Sequence, residues 1–101
     1  RRVSASELAV RLQKLYARAA LLGQNFELNA ATASEKLADG QAALVLPAGW
    51  SFAEGQSLSI RASGLCQETS IRFASAAQIL VLDVKADDCE IAIRSNTAPL
   101  Q

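Results

Sequence analysis

The chain has 101 residues, 50% of them apolar, with ten basic residues balancing ten acidic ones and no histidine. That is enough for one hydrophobic core and too little for two, which excludes a multidomain protein, and the balanced charge excludes a general attraction to nucleic acid or an anionic membrane. Without histidine, Ser-His-Asp and Cys-His catalysis are excluded too.

From Ala5 to Leu22 the residues Ala5, Leu8, Leu12, Leu15, Ala19 and Leu22 recur at spacings of three and four. This predicts one face of an α-helix, with Leu8, Leu12 and Leu15 as its core seam. Glu7, Arg11, Lys14 and Arg18 follow the same spacing one step round and predict a charged stripe beside the buried one. Such a stripe is either a solvated face or a contact with a neighbouring subunit. Gly23 follows the last periodic residue and is expected to end the helix in the left-handed conformation. Ser4 and Glu7 have the spacing of a capping box, which would start the helix at Ser4. Against that start, the N-terminal end of the apolar face is narrow and alanine-rich, as expected of a helix that leaves the cover of its own domain.

After Gly23 the period changes to two. Phe26 and Leu28 alternate with Asn25, Glu27 and Asn29, predicting a half-buried strand. "TASEKLADGQ" reads as a loop or single helical turn with one apolar residue, Leu37. "AALVLP" reads as a short buried strand stopped by Pro47, which cannot donate to a ladder. "AGWSFAEGQ" reads as a loop whose Trp50 and Phe52 either stack on a sugar or partner protein or fold over the open end of the sheet.

Further strands are expected in "SLSIRA", "TSIRF", "QILVLDV" and "CEIAIR", with "QILVLDV" central and "KADD" forming the turn before the last. Cys89, Ile91 and Ile93 are expected to point one way and Glu90 and Arg94 the other. "SNTAPLQ" reads as a frayed tail. The whole predicts an α+β domain, residues 1–101, with one N-terminal helix (1–23) packed on an antiparallel sheet of about six short strands (24–101).

Few residues suggest chemistry. Lys14, Lys36 and Lys85 read as solvated charges, the five glycines form no phosphate loop, and Arg61, Arg72 and Arg94 stand singly on separate strands. Asp87, Asp88 and Glu90 form the one compact acidic group, read as a polar turn more readily than as a cation site. Cys66 and Cys89 have too few companions for an ordinary zinc site. A disulfide is the better reading, ahead of two free buried thiols; closing a loop of that length would stabilise by roughly 3 kcal/mol and implies an oxidising compartment. No cofactor is expected.

These features resemble a known family. A helix ending "LQKLYARAALLGQNFELN", a strand ending "LVLPAGW", then "LSIRASG" and short paired strands are similar to the globular domain of type IV pilin-like proteins. The likeness is to the minor pseudopilins of the type II secretion system (GspH type) and the related FimT-type minor pilins. It rests on Leu12, Leu15, Ala17, Arg18, Ala20 and Gly23 at the helix end and on Leu46, Pro47 and Gly49 in the later turn. The resemblance implies a non-enzymatic subunit at or near the tip of a periplasmic pseudopilus, supporting protein export. Its partners would be other minor pseudopilins and the major pseudopilin, with no nucleic acid and no small-molecule substrate. An N-terminal apolar segment would span the inner membrane ahead of Arg1, and a chain that starts on Arg fits a trimmed or processed form. The alternative is a minor pilin of a type IV pilus or DNA-uptake system, for which "IRSNTAPLQ" carries few basic residues.

Overall fold

The computed structural model describes residues 3–76, 78–86 and 88–97. Helix α1 spans Val3–Leu22 and is followed by β1 (Phe26–Asn29), β2 (Ser51–Phe52), β3 (Ser57–Ile60), β4 (Thr69–Ala74), β5 (Gln78–Val84) and β6 (Ile91–Thr97). The α+β class and the antiparallel pairing agree with the sequence. The strands, however, form two sheets instead of one, a β1–β3 pair and a four-stranded β2–β4–β5–β6 sheet.

The helical seam is buried as its period requires. Leu8, Leu12, Leu15 and Ala19 have no exposed surface, and Ala5 and Leu22 pack partly against the same core. Ser4 lies inside the helix, already formed at Val3, so it does not stand ahead of the first turn. At the other end Gly23 takes φ 65°. Its N–H donates to Ala20 O (3.3 Å) and the Gln24 N–H to Ala19 O (3.0 Å), a Schellman closure that satisfies two of the helix's last carbonyls.

Both sheets meet the seam. Leu28 of β1 and Leu58 and Ile60 of β3 face it, as do Ile71 and Phe73 of β4 and Leu80, Leu82 and Val84 of β5. Register stacks these side chains: Leu28 opposes Leu58, Ile71 opposes Leu82, and Phe73 opposes Leu80. Each such side chain contributes about 1.5–3 kcal/mol by leaving water. Central β5 is buried on its other face too, because Val81 lies between Arg72 and Arg94 in the ladder and is only 6% exposed. The aliphatic stems of flanking arginines cover such a position while their charges stay wet.

Three local expectations need correction. "AALVLP" joins no ladder: Ala43 and Leu44 are buried in succession and Val45 is 58% exposed, which is not strand alternation. "TASEKLADGQ" is the loop expected, a run of turns closed by an antiparallel bridge between Lys36 and Ala42. The loop "AGWSFAEGQ" contains β2, paired through Ser51 to Ala74 and Phe52 to Phe73. The supposed tail is strand as far as Thr97, opposite Gln78, while 98–101 lie outside the described residues. Cys89 precedes β6 in a left-handed conformation (φ 61°). The core face also thins along β6: Ile91 is partly buried and Ile93 is 43% exposed.

Candidate interaction surfaces

The charged stripe on α1 is used unevenly. Glu7 and Arg11 form an i,i+4 ion pair at 2.6 Å, and Arg11 Nη1 also donates to Val45 O at 2.6 Å. Arg18 is held more fully. It grips Asp39 through Nε to Oδ2 (3.0 Å) and Nη2 to Oδ1 (3.1 Å), and donates to the carbonyls of Gln41, Ala42 and Ala43 at 3.1–3.2 Å. The 41–45 segment is thus held from two sides: its carbonyls accept from Arg11 and Arg18 of α1, while the Ala43 and Leu44 N–H groups donate to Glu35 O (2.8 Å) and Ala33 O (3.0 Å) of the preceding turns. The Arg18 fork, followed by the Gln41 N–H, holds the Asp39 carboxyl below its ordinary range. Of the four stripe residues, Lys14 makes no ion pair or hydrogen bond with any described residue.

One step further round, α1 carries a second apolar line that the periodicity of the buried seam conceals. Val10 is 50% exposed and Leu21 86%, and exposed Ala17 lies between them. With Lys14 they fall at successive spacings of four, three and four, so all four side chains share one outward face. The signal was in the sequence as a second set of helical spacings, but the stronger Leu8–Leu12–Leu15 set absorbed it.

Cys66 and Cys89 form a disulfide, with Cα atoms 5.3 Å apart, which ties the 61–68 loop to the β5–β6 turn. In that turn the Lys85 N–H donates to Glu90 O and Asp88 Oδ1 accepts the Glu90 N–H. Asp88 therefore serves the turn, and Asp87 lies outside the described residues. Among the described residues no three acidic or cysteine side chains gather as a metal site. Trp50 and Phe52 pack partly against the core, Phe52 with its ring 5.0 Å from that of Phe73.

A cleft of about 630 Å³ opens beside β3 and the 61–69 segment. Tyr16, Glu27, Ser57, Ser59, Arg61 and Thr69 are among its walls. Glu27 accepts the hydroxyls of Ser57 (2.6 Å) and Ser59 (2.8 Å), and these bonds lower its pKa. Burial pushes the Tyr16 phenol up to about 12. No helix among the described residues is long and apolar enough to cross a membrane.

No protein-family model, curated protein or solved structure matches the chain.

Proposed function

We propose that this chain is the globular domain of a pilin-like structural subunit, non-enzymatic, of the minor pseudopilin kind. On this reading it assembles at or near the tip of a periplasmic pseudopilus with other minor pseudopilins and the major pseudopilin. The observation that carries the reading is the two-faced helix. α1 commits Leu8, Leu12, Leu15 and Ala19 to its own sheets and still presents Val10, Ala17 and Leu21 outward. A helix that served only its own domain would be polar on that face; a filament subunit needs it for packing against neighbouring helices. The internal disulfide accords with an oxidising compartment.

The contact surface then comprises Val10, Lys14, Ala17 and Leu21, with Glu7 and Arg11 at its margin. Arg18 holds the subunit's own loop in place. The test is the N-terminal sequence and intact mass of the natural protein extracted from membranes under non-reducing conditions. An apolar stretch of about twenty residues ahead of Arg1, beginning with a methylated phenylalanine, is the expected result. A natural chain that begins near Ser4 and needs no detergent would overturn the proposal.

A further inference from the structure

Main-chain groups along one side of β3 have no partner among the described residues. In β1, Asn29 turns its N–H away from β3 to Thr32 Oγ1 (2.9 Å), and Glu27 turns its carbonyl the same way to accept the Thr32 hydroxyl (2.7 Å). Residues in an antiparallel pair alternate between bonded and non-bonded partners. The bonded pairs are therefore Phe26 with Ile60 and Leu28 with Leu58, while Ser59 and Ser57 stand opposite Glu27 and Asn29 without bonding them. It follows that the N–H and C=O groups of Ser57 and Ser59 point away from β1. No other strand among the described residues pairs with that side, and both residues line the cleft.

The facing edge is open as well. Arg72 of β4 turns its main chain away from β5, its N–H donating to Gln56 Oε1 (2.9 Å) and its carbonyl accepting the Ala53 N–H (3.1 Å). Ser70, two residues earlier on the same side, has the same orientation. β2 covers β4 only at Phe73 and Ala74. The Gln56 carboxamide thus ties the residue ahead of β3 to β4 at Arg72, and Thr69 at the start of β4 lines the cleft.

The cleft also contains an unused donor. Tyr16 is 5% exposed, and its hydroxyl bonds to no described residue. Since no buried side-chain oxygen or nitrogen among the described residues is left unpaired, that hydroxyl has access to solvent, and Tyr16 lines the cleft.

We infer that the cleft binds an extended segment of a partner polypeptide, which adds as a strand to the free edge of β3. Ser57 and Ser59 present donor and acceptor pairs at the two-residue repeat of a β-strand, and an extended main chain matches that repeat. A compact small molecule would satisfy one residue's pair and leave the other to water. Tyr16 Oη then bonds the segment from the floor. Recognition is chiefly through the main chain, so it tolerates sequence variation. The inference stands apart from the pilin-like reading, since it needs only this edge and this cleft.

The experiment uses the full disulfide-bonded chain and a displayed library of linear dodecapeptides, with the best binder synthesised for study. Binding is expected to slow hydrogen exchange at the amides of Ser57 and Ser59. Methylating alternate amides of the peptide is expected to weaken it about tenfold or more, the effect of removing one or two main-chain bonds. Ser59→Pro removes an N–H that the fold leaves unpaired and is compatible with an edge strand; it should weaken binding similarly while the circular dichroism spectrum stays unchanged. Should Ser59→Pro disturb the fold, Tyr16→Phe and the methylated peptide carry the test. The inference is overturned if no selected peptide protects Ser57 and Ser59, or if methylated peptides bind as the parent does.

Discussion

Arg18 and Asp39 meet fork to fork, with Nε to Oδ2 at 3.0 Å and Nη2 to Oδ1 at 3.1 Å, and the same guanidinium collects the carbonyls of Gln41, Ala42 and Ala43. Arg18 thus ties α1 to the carbonyls of a segment whose Ala43 and Leu44 N–H groups go to Glu35 O and Ala33 O. The geometry needs a planar group with several donors, which an ammonium cannot supply. Arg18→Ala should cost about 1–3 kcal/mol, since it strands part-buried carbonyls, and Arg18→Lys should recover only a minor part. Urea unfolding measures both. A lysine variant as stable as the parent would show that charge alone matters.

Acid should weaken the fold through two aspartates. Asp83 is held well below its ordinary range by Arg94, which donates from Nε (2.7 Å) and Nη2 (2.9 Å), and then by the Ser70 hydroxyl. Asp39 is lowered by Arg18. With folded pKa values below the unfolded ones, the unfolded chain binds more protons in acid. The stabilisation is complete above the unfolded range near about 4 and is lost as pH falls through the lower folded values. Thermal melts should therefore show a falling Tm below about pH 4. Asp83→Asn should lower Tm at neutral pH and flatten that acid slope. Parallel curves for parent and variant would exclude Asp83 as a source of the pH dependence.

The parts of the fold legible in the sequence were those set by one dominant period. Leu8, Leu12 and Leu15 announce the helix seam and the alternation around Leu58 and Ile71 announces β3 and β4, because each pattern reports burial against a single surface, while the apolar run of "QILVLDV" announces β5, which is covered on both faces. "AALVLP" misled because apolar content alone does not distinguish a strand from a segment held by the preceding turns and by Arg11 and Arg18. β2 was hidden because it is two residues long and depends on its partners Phe73 and Ala74. The gap between the sheets has no local signature, since it depends on which edges the rest of the chain fails to cover. The outward line of Val10, Ala17 and Leu21 was readable but was overshadowed by the seam behind it.

Removing the disulfide should be costly yet separable into two effects. Loss of the Cys66–Cys89 link frees a loop of roughly two dozen residues in the unfolded chain, worth about 3 kcal/mol. For a domain this size that lowers Tm on the order of 10–20 °C. Cys89 also holds φ 61°, where a side chain costs roughly 1–2 kcal/mol that glycine avoids. The double variant Cys66→Ala, Cys89→Gly should accordingly melt above Cys66→Ala, Cys89→Ala. Equal melting temperatures would mean that residue 89 relaxes out of the left-handed region once the link is gone.

The outward helix face yields the sharpest test of assembly. Leu21 is 86% exposed and Val10 50%, so a charge at either position should change the stability of the isolated domain by no more than about 0.5 kcal/mol. In an assembled filament the same side chain would lie against a neighbouring helix, and an arginine there would bury an unpaired charge. Val10→Arg and Leu21→Arg should thus leave melting unchanged while reducing cross-linking from a photoreactive group at Ala17 about tenfold, as expected from losing roughly 1.4 kcal/mol of contact. Lys14→Ala, a position whose charge has no partner among the described residues, should have a smaller effect. Arg18→Lys would weaken assembly only as far as it loosens the 41–45 segment. If both arginine variants assemble as the parent does, the exposed apolar line is not a subunit contact, and the two-faced helix no longer supports a pilin-like role.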